Sequence, residues 1–598
     1  MERTKVKSEY KIDLTTIYKN KQEFRSDCQL VLEKIKEIIK YKGKVTTSTK
    51  NLYTVLELVI NAFLIVDKIN LYSSLVTQID ASDKEGKSVF AKSKSISTVF
   101  ATKTAFVDDE ILKCKWNFIE ELLKDKDLKI YEFYLKELFK DVNHILSEKE
   151  EIILSEMSNL ASELENNRSI FFFQDLDFGV VEDEDKKEVI ITNQNYSKLL
   201  ENKNRKFRQR AFETYNKTFG KFENTFAALL NSKLSYDINK ARIRGYDSPL
   251  AMSLHNYNLK KDVIDNYLTI ASENRNLYKK YNEILKSVLG FKNIYSYDLR
   301  YNPVNKSDKE YRIEDAEKII YEAFSIYGKE YQKYLKELFD NSKIDYMPTD
   351  NKATGAFCIH NYLLGSYTFL NYQNKIGDIS TLAHELGHAV HALLLRDNNH
   401  PAYADSSFLL VEIASITNEI LLCEHILKNS KDIYEKYELL KNLLDVLLGN
   451  FFLVASRLEV QNKMYEAIEK GNALNADFIN TINLEASKKY ELNGVKVLEE
   501  NKYIWMRVSH YYYLYYNYQY AIGVSLATLF ASKILSGKDE EIKNYLEFLK
   551  VSGRNYPAET LAQFGADLLS KETYKPLIKY INDKLKDFEK IVDQMEMK

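Results

Sequence analysis

The sequence predicts an almost all-α protein, with a helical N-terminal lobe over residues 1–200 and a larger C-terminal region over 201–598. Three observations carry this. The 598 residues include 6 prolines and 18 glycines, so helix breakers are scarce. Apolar residues recur at three- and four-residue intervals over long stretches. Strand-like runs are few. A composition 45% hydrophobic and 29% charged supplies a large core and argues against disorder.

The elements follow in order. "TVLELVINAFLIVDKINL" (54–71) is the most apolar early run, but Glu57, Asn61 and Asp67 interrupt it, so it reads as a buried helix and not a membrane span. "YEFYLKELFKDVNHILSEKEEIILSEMSNLASELE" (131–165) has helical periodicity throughout. "EVIITN" (188–193) reads as a strand, and "TNQNYSKLLENKNRK" (192–206) interrupts the pattern where the lobes divide. Helical periodicity resumes in 262–289 and 314–339. "GSYTFLNY" (365–372) is the second strand, just ahead of a histidine-rich helix.

Composition excludes several function classes. Lys+Arg totals 85 and Asp+Glu 87, for a net charge of −2, so no nucleic-acid or membrane-surface partner is expected. Cys28, Cys114, Cys358 and Cys423 include no C-x-x-C pair, which argues against a thiolate metal site or a disulfide framework. The N-terminus has no apolar h-region. A cytoplasmic location is expected.

Residues 381–391 read T-L-A-H-E-L-G-H-A-V-H. A helix from Asp378, its expected N-cap, to about Leu395 puts Ile379, Leu382, Leu386, Val390 and Leu393 on one broad face. His384 and His388 are then one turn apart, with Cβ atoms roughly 6 Å from each other. Both imidazoles can reach one tetrahedral Zn²⁺ at about 2.0–2.1 Å. Glu385 is turned by about 100°, beside the metal, where it can take a proton from water. With 9 histidines in 598 residues, the chance expectation for H-E-x-x-H is about 0.02. Gly387 costs about 1 kcal/mol inside a helix and needs a reason, such as close approach of another backbone.

A catalytic zinc site needs a third protein ligand and an open position. His391 is close in sequence, but three ligands from two turns of one helix are hard to arrange tetrahedrally. "SSFLLVEIASITNEILLCEHIL" offers Glu412 as the ligand, with Glu419 behind a histidine in a supporting position. Both lie in an apolar helix, where an unpaired carboxylate is expensive. The other unusual segment is "WMRVSHYYYLYYNYQYAIGVSLA" (505–527), in which His510 and seven tyrosines fall within 510–520. An aromatic core helix accounts for it equally well. A zinc peptidase also needs donors to a developing oxyanion, which makes His510 and some of Tyr513, Tyr515, Tyr518 and Tyr520 candidates.

Taken together these segments resemble the oligoendopeptidase F family, relatives of thimet oligopeptidase, nearly end to end. "YKIDLTTIYKNKQEF" resembles its opening, with Tyr10 where Trp is common. "KFRQRAFETYNKTF", "ARIRGYDSPLAMSL", "YDLRYNP", "GAFCIHNYLLGSYTFLNYQNKIGDISTLAHELGHAVH", "VEIASITNE" and "VSGRNYPAETLAQFGADL" resemble its later signatures. The resemblance implies a two-lobed helical body enclosing a deep substrate channel, with a small β element next to the zinc helix. It implies one Zn²⁺ per chain on His384, His388 and Glu412, and Glu385 as catalytic base. Short unfolded peptides would be cut internally, their backbone paired with the strand that carries Tyr367, Phe369 and Asn371. His510, Tyr515 and Tyr518 would serve the transition state and Tyr520 the substrate. Ser509 departs from the family's usual Pro. The rival readings are a dipeptidyl carboxypeptidase of related build and a non-catalytic peptide-binding scaffold; a binder has no use for Glu385.

Overall fold

The computed structural model describes residues 2–304 and 309–596. Helix takes up 71% of it and strand 3%, as the scarcity of breakers predicts. Contacts divide the chain into two compact units, each gathered from three stretches. The first holds residues 1–143, 309–425 and 530–565; the second holds 144–308, 426–529 and 566–598.

In the first unit, helices α1 (Lys21–Ile39), α2 (Thr49–Ile79) and α3 (Lys84–Thr104) pack on one another. Asn20, Ser48 and Asp83 cap their first turns by accepting backbone N–H groups. Val31, Ile38, Leu52, Val55 and Ile69 are fully buried between them. The polar breaks in α2 are bonded: Tyr131 donates to Glu57 at 2.8 Å and Asn361 Nδ2 to Asp67 at 2.5 Å.

Against this helical core lies a three-stranded sheet of β3 (Ile344–Asp345), β4 (Phe357–Asn361) and β5 (Gly365–Phe369), in the order β3–β5–β4. β4 and β5 are antiparallel, pairing Cys358 with Thr368, Ile359 with Tyr367 and His360 with Ser366. Alternation sends successive residues to opposite faces. Ile359 and Tyr367 pack on the N-terminal core, whereas Ser366 Oγ donates to Ala389 O on the opposite side. That carbonyl belongs to the histidine helix, Ile376–Asn398. This helix begins two residues before the expected Asp378. Ile376 is buried and joins the first turn, so Asp378 sits inside it and its carboxylate reaches back to Gln373 N and Lys375 N, both at 2.8 Å.

Among the described residues, the second unit's named strands are the hairpin β1 (Val180–Glu182) and β2 (Glu188–Ile190), and its other regular elements are helical. The 192–206 interruption forms the short helix Tyr196–Leu199 and a turn ahead of the 39-residue helix Arg205–Ile243. Arg205 and Arg208 of that helix clamp the buried Asp298, each at 2.7 Å. The helical run Ile433–Glu469 is long and apolar enough to cross a bilayer by length and composition, and 61% of its most apolar window is buried in the fold. Two long periodic stretches prove to be helix pairs: Lys261–Glu273 with Asn276–Leu289, and, in the first unit, Ile313–Ala323 with Lys329–Asp340. Gly328, at φ 83°, divides the latter pair.

The histidine helix packs closely against a second one, Phe408–Asn429. A Cβ placed on Gly387 would lie 2.6 Å from Ser415 Cα and 2.8 Å from Ala414 O. Glycine here allows two backbones to touch, which accounts for its cost inside the helix. Gly387→Ala is expected to destabilise the protein by about 1–3 kcal/mol, because rigid backbone must move. Thermal unfolding tests this; a midpoint equal to wild type would show that the contact carries no constraint.

Candidate functional site

His384 and His388 project from one face of the histidine helix, and Glu412 faces them from the second turn of Phe408–Asn429. The two Nε2 atoms are 3.2 Å apart, and Glu412 Oε2 lies 3.6 Å from His384 Nε2 and 3.9 Å from His388 Nε2. Among the described residues these three form the group able to share one ion, with ligand atoms all within 4.8 Å of one another. Tetrahedral ligands about 2.05 Å from a Zn²⁺ ion lie about 3.3 Å apart, so the donor set fits that metal in spacing and in chemistry. Two imidazole nitrogens at 3.2 Å otherwise need a proton between them. Ser415 Oγ donates to Glu412 Oε2 at 3.1 Å and orients it. Sequence reasoning missed Ser415, although its place three residues after Glu412 was the available signal.

Glu419, one further stretch along the same helix, lies 2.7 Å from His384 Nδ1 by its Oε1. Nδ1–H therefore donates to the carboxylate, so that it is Nε2, turned toward His388 and Glu412, that offers a lone pair once the imidazolium gives up its second proton. Burial alone would lower the His384 pKa, but the hydrogen bond and charge of Glu419, with Glu412 and Glu385, raise it to about 9. His388 goes the other way, to about 4, first through burial and then through the neighbouring His384. Glu385 is 6% exposed, and burial, reinforced by Glu412 and Glu419 and opposed by His384, lifts its carboxyl to about 7. A carboxylate poised near neutrality suits proton acceptance from water.

His391, set aside as a ligand from spacing, is buried with Nε2 2.7 Å from Ser552 Oγ. A cavity of about 460 Å³ adjoins the metal group, walled by His360, His388, Asp405, Phe408, Val411 and Glu412.

The expected substrate strand is placed differently. β5 is the middle strand, with both edges hydrogen-bonded, so an extended peptide finds no free edge on it. Tyr367 is buried against the N-terminal core. Phe369 is buried too, stacked on Phe357 at 4.6 Å. Asn371 Nδ2 donates to Ala353 O and Gly355 O at 2.9 Å, which pins that loop. The outer strands are β3, only two residues long, and β4.

The tyrosine segment lies in the second unit. His510 has Tyr516 at 5.6 Å, Tyr520 at 5.9 Å and Tyr513 at 6.4 Å between ring centroids. Burial, with Arg457 nearby, lowers the His510 pKa and keeps the imidazole neutral. Tyr515 and Tyr518, expected at the transition state, are instead core residues. Tyr515 stacks on Tyr465 at 5.0 Å, and the fully buried Tyr518 has its hydroxyl 3.5 Å from Ser253 Oγ. The chain turns sharply at Tyr515, φ 45°, so helical spacing does not extend back from Tyr518–Leu535 to His510.

Two outcomes follow for metal binding. Glu419→Ala should weaken zinc affinity roughly 10- to 100-fold in chelator competition, since His384 loses the partner that fixes its tautomer; unchanged affinity would remove Glu419 from that role. In the metal-free protein His384 holds a proton below about pH 9. Zinc must displace that proton, so apparent affinity should rise close to tenfold per pH unit between pH 7 and 9 and flatten above. Calorimetry in buffers of different ionisation enthalpy would show about one proton released; no proton release would contradict this charge state.

Comparison with known proteins agrees with the geometry. Residues 198–578 match the family model Peptidase family M3, and residues 110–178 match the model Oligopeptidase F. An oligoendopeptidase F homolog of Lactococcus lactis subsp. lactis is 31% identical over 584 residues, 97% of each chain. The oligopeptidase PepF of Bacillus subtilis is 29% identical over 592 residues, 99% of this chain and 88% of that one. The crystal structure of oligoendopeptidase-F from Enterococcus faecium has a TM-score of 0.73 at 25% identity, over 96% of this chain and 99% of that one. A solved chain from Chlamydophila abortus shares the fold, with a TM-score of 0.90 at 24% identity over 99% of both. With a family model over more than half its length and relatives about as long as itself, the chain belongs to peptidase family M3, alongside the oligoendopeptidase F enzymes, and is a metallopeptidase.

Proposed function

We propose that this metallopeptidase is a zinc-dependent endopeptidase that hydrolyses internal peptide bonds of short oligopeptides, with its catalytic machinery in residues 201–598. One observation carries the reading: His384 Nε2, His388 Nε2 and Glu412 Oε2 converge within 4.8 Å beside a buried carboxyl, Glu385, raised to about 7. Zinc held there supplies Lewis acidity toward the scissile carbonyl and acidifies water. Glu385 accepts a proton from the attacking water and later delivers it to the leaving amine. Glu419 keeps the His384 Nε2 lone pair available through its bond to Nδ1. His510 donates to the developing oxyanion, a role that its neutral imidazole and its neighbours Tyr516 and Tyr520 support. An extended peptide pairs with β4, the longer of the two outer strands, whose Cys358 and His360 border the cavity beside the metal group. Four free cysteines support a cytoplasmic, reducing location.

The experiment is cleavage of an end-blocked, internally quenched peptide of about ten residues, with zinc measured on the same sample. Blocked ends exclude exopeptidases, so internal cuts would separate this reading from a carboxypeptidase. Glu385→Gln should keep its zinc and lose roughly 10²- to 10⁴-fold in kcat. Full turnover by a zinc-loaded Glu385→Gln protein would remove Glu385 as the base.

A further inference from the structure

We infer that the cavity beside the metal group is a subsite for a basic side chain, lysine or arginine, flanking the scissile bond, with Asp405 as its counter-charge. This rests on the endopeptidase reading above and adds a substrate class to it. The cavity, about 460 Å³, is bounded on one side by the ligands His388 and Glu412, so the side chain that enters it belongs to a residue next to the bond being cut.

The polar atoms left over in this cavity share one character. Asp405 is open to the cavity, and among the described residues its carboxylate makes no hydrogen bond or ion pair. Asp405 is exposed, so water solvates its carboxylate in the open cavity, while the surrounding protein pushes its pKa up by partial desolvation. His360 lies 3.2 Å by its Nδ1 from Ser366 Oγ, and that hydroxyl donates to Ala389 O at 2.9 Å. Ser366 therefore accepts from Nδ1–H, so the tautomer leaves Nε2 as a bare lone pair, sealed from solvent and without a partner. The nearest cations are already engaged: Lys343 with Glu337 at 3.1 Å and Arg396 with Asp397 at 2.7 Å. Ser406 Oγ donates to Ser552 O. His360 Nε2 is sealed off, so what remains open to an entering side chain is Asp405, an anion with no donor.

Apolar walls complete the pattern, with Leu395, Phe408 and Val411 among them. A lysine or arginine combines an apolar stem with a cationic head that only donates. An aliphatic side chain would fill the same space and desolvate Asp405 further with nothing in return. An acidic one would be repelled.

The test uses the zinc-loaded full chain and three end-blocked, internally quenched peptides that differ only at one residue flanking the scissile bond: lysine, leucine or glutamate. Mass spectrometry confirms the cut position, and a second set moves the varied residue across the bond. Wild type should rank lysine above leucine above glutamate in one of the two sets, with a lysine-to-leucine ratio in kcat/KM of roughly tenfold to a hundredfold. Asp405→Asn should bring that ratio close to one, and Asp405→Lys should turn the preference toward glutamate. Because the ratio is read within each variant, a general loss of folding or zinc would not mimic it. Equal turnover of lysine and leucine peptides by wild type in both sets, or an undiminished ratio in Asp405→Asn, overturns the subsite and leaves the endopeptidase reading intact. Failure to cut any of the peptides overturns both.

Discussion

The metal group depends on a single backbone contact. Gly387 brings the histidine helix against Ala414 and Ser415 at a separation that a methyl group would prevent. Glu412 lies one turn before that contact and His388 immediately after Gly387, so the spacing of the two helices sets the distance from carboxylate to imidazole. An approach wider by the thickness of a methyl group would take Glu412 Oε2 out of the range in which three ligands can share one ion. The position is held from the opposite side as well, where Ser366 Oγ bonds Ala389 O two residues beyond Gly387 and one beyond His388. The histidine helix is thus clamped between a sheet and a second helix at the level of its ligands.

That clamp concentrates charge where water is scarce. Glu385, Glu412 and Glu419 crowd two imidazoles, and the result is a pair of histidines driven in opposite directions, one toward about 9 and the other toward about 4. Unpaired charges in such a place are costly, and a divalent cation shared by His384, His388 and Glu412 would compensate them. The arrangement also sorts the carboxylates by role. Glu412 is held by Ser415 and turned to the ligands, Glu419 is committed to His384 Nδ1, and Glu385 is left without such a bond to a ligand, with its proton affinity near neutrality. A carboxylate tied to an imidazolium would be a poorer base.

What was legible in the sequence was local in the chain. His384, Glu385 and His388 are related by the helical repeat, and so are Glu412 and Glu419, so their faces could be read from spacing. What was not legible depended on pairing across distance or on single dihedral angles. β4 lacks a clean alternation because one face meets the N-terminal core and the other the histidine helix, so "FCIHN" does not stand out, and β5 was taken for the exposed strand. Seven tyrosines crowded beside His510 do not tell which of them face it: the left-handed turn at Tyr515 breaks the local repeat, and Tyr515 and Tyr518 go into the core. Asp378 fits a cap by residue type alone, while burial of Ile376 starts the helix earlier.

β4 and β5 have two loyalties, and this explains how residues far apart in the chain meet at one cavity. Along this pair, Ile359 and Tyr367 belong to the packing of α1–α3, while Cys358, His360 and Ser366 belong to the metal side. The period of two along a strand leaves no freedom between these assignments. A one-residue slip of β4 against β5 would place His360 in the N-terminal core and Ile359 in the cavity. The N-terminal helices therefore act on the site from a distance: by burying Ile359 and Tyr367 they fix the register, and the register sets His360 on the side of the cavity that His388 and Glu412 also wall. The same logic accounts for Asn361 at the end of β4, whose side chain bonds Asp67 of α2 and so ties the strand lengthwise to the helical core.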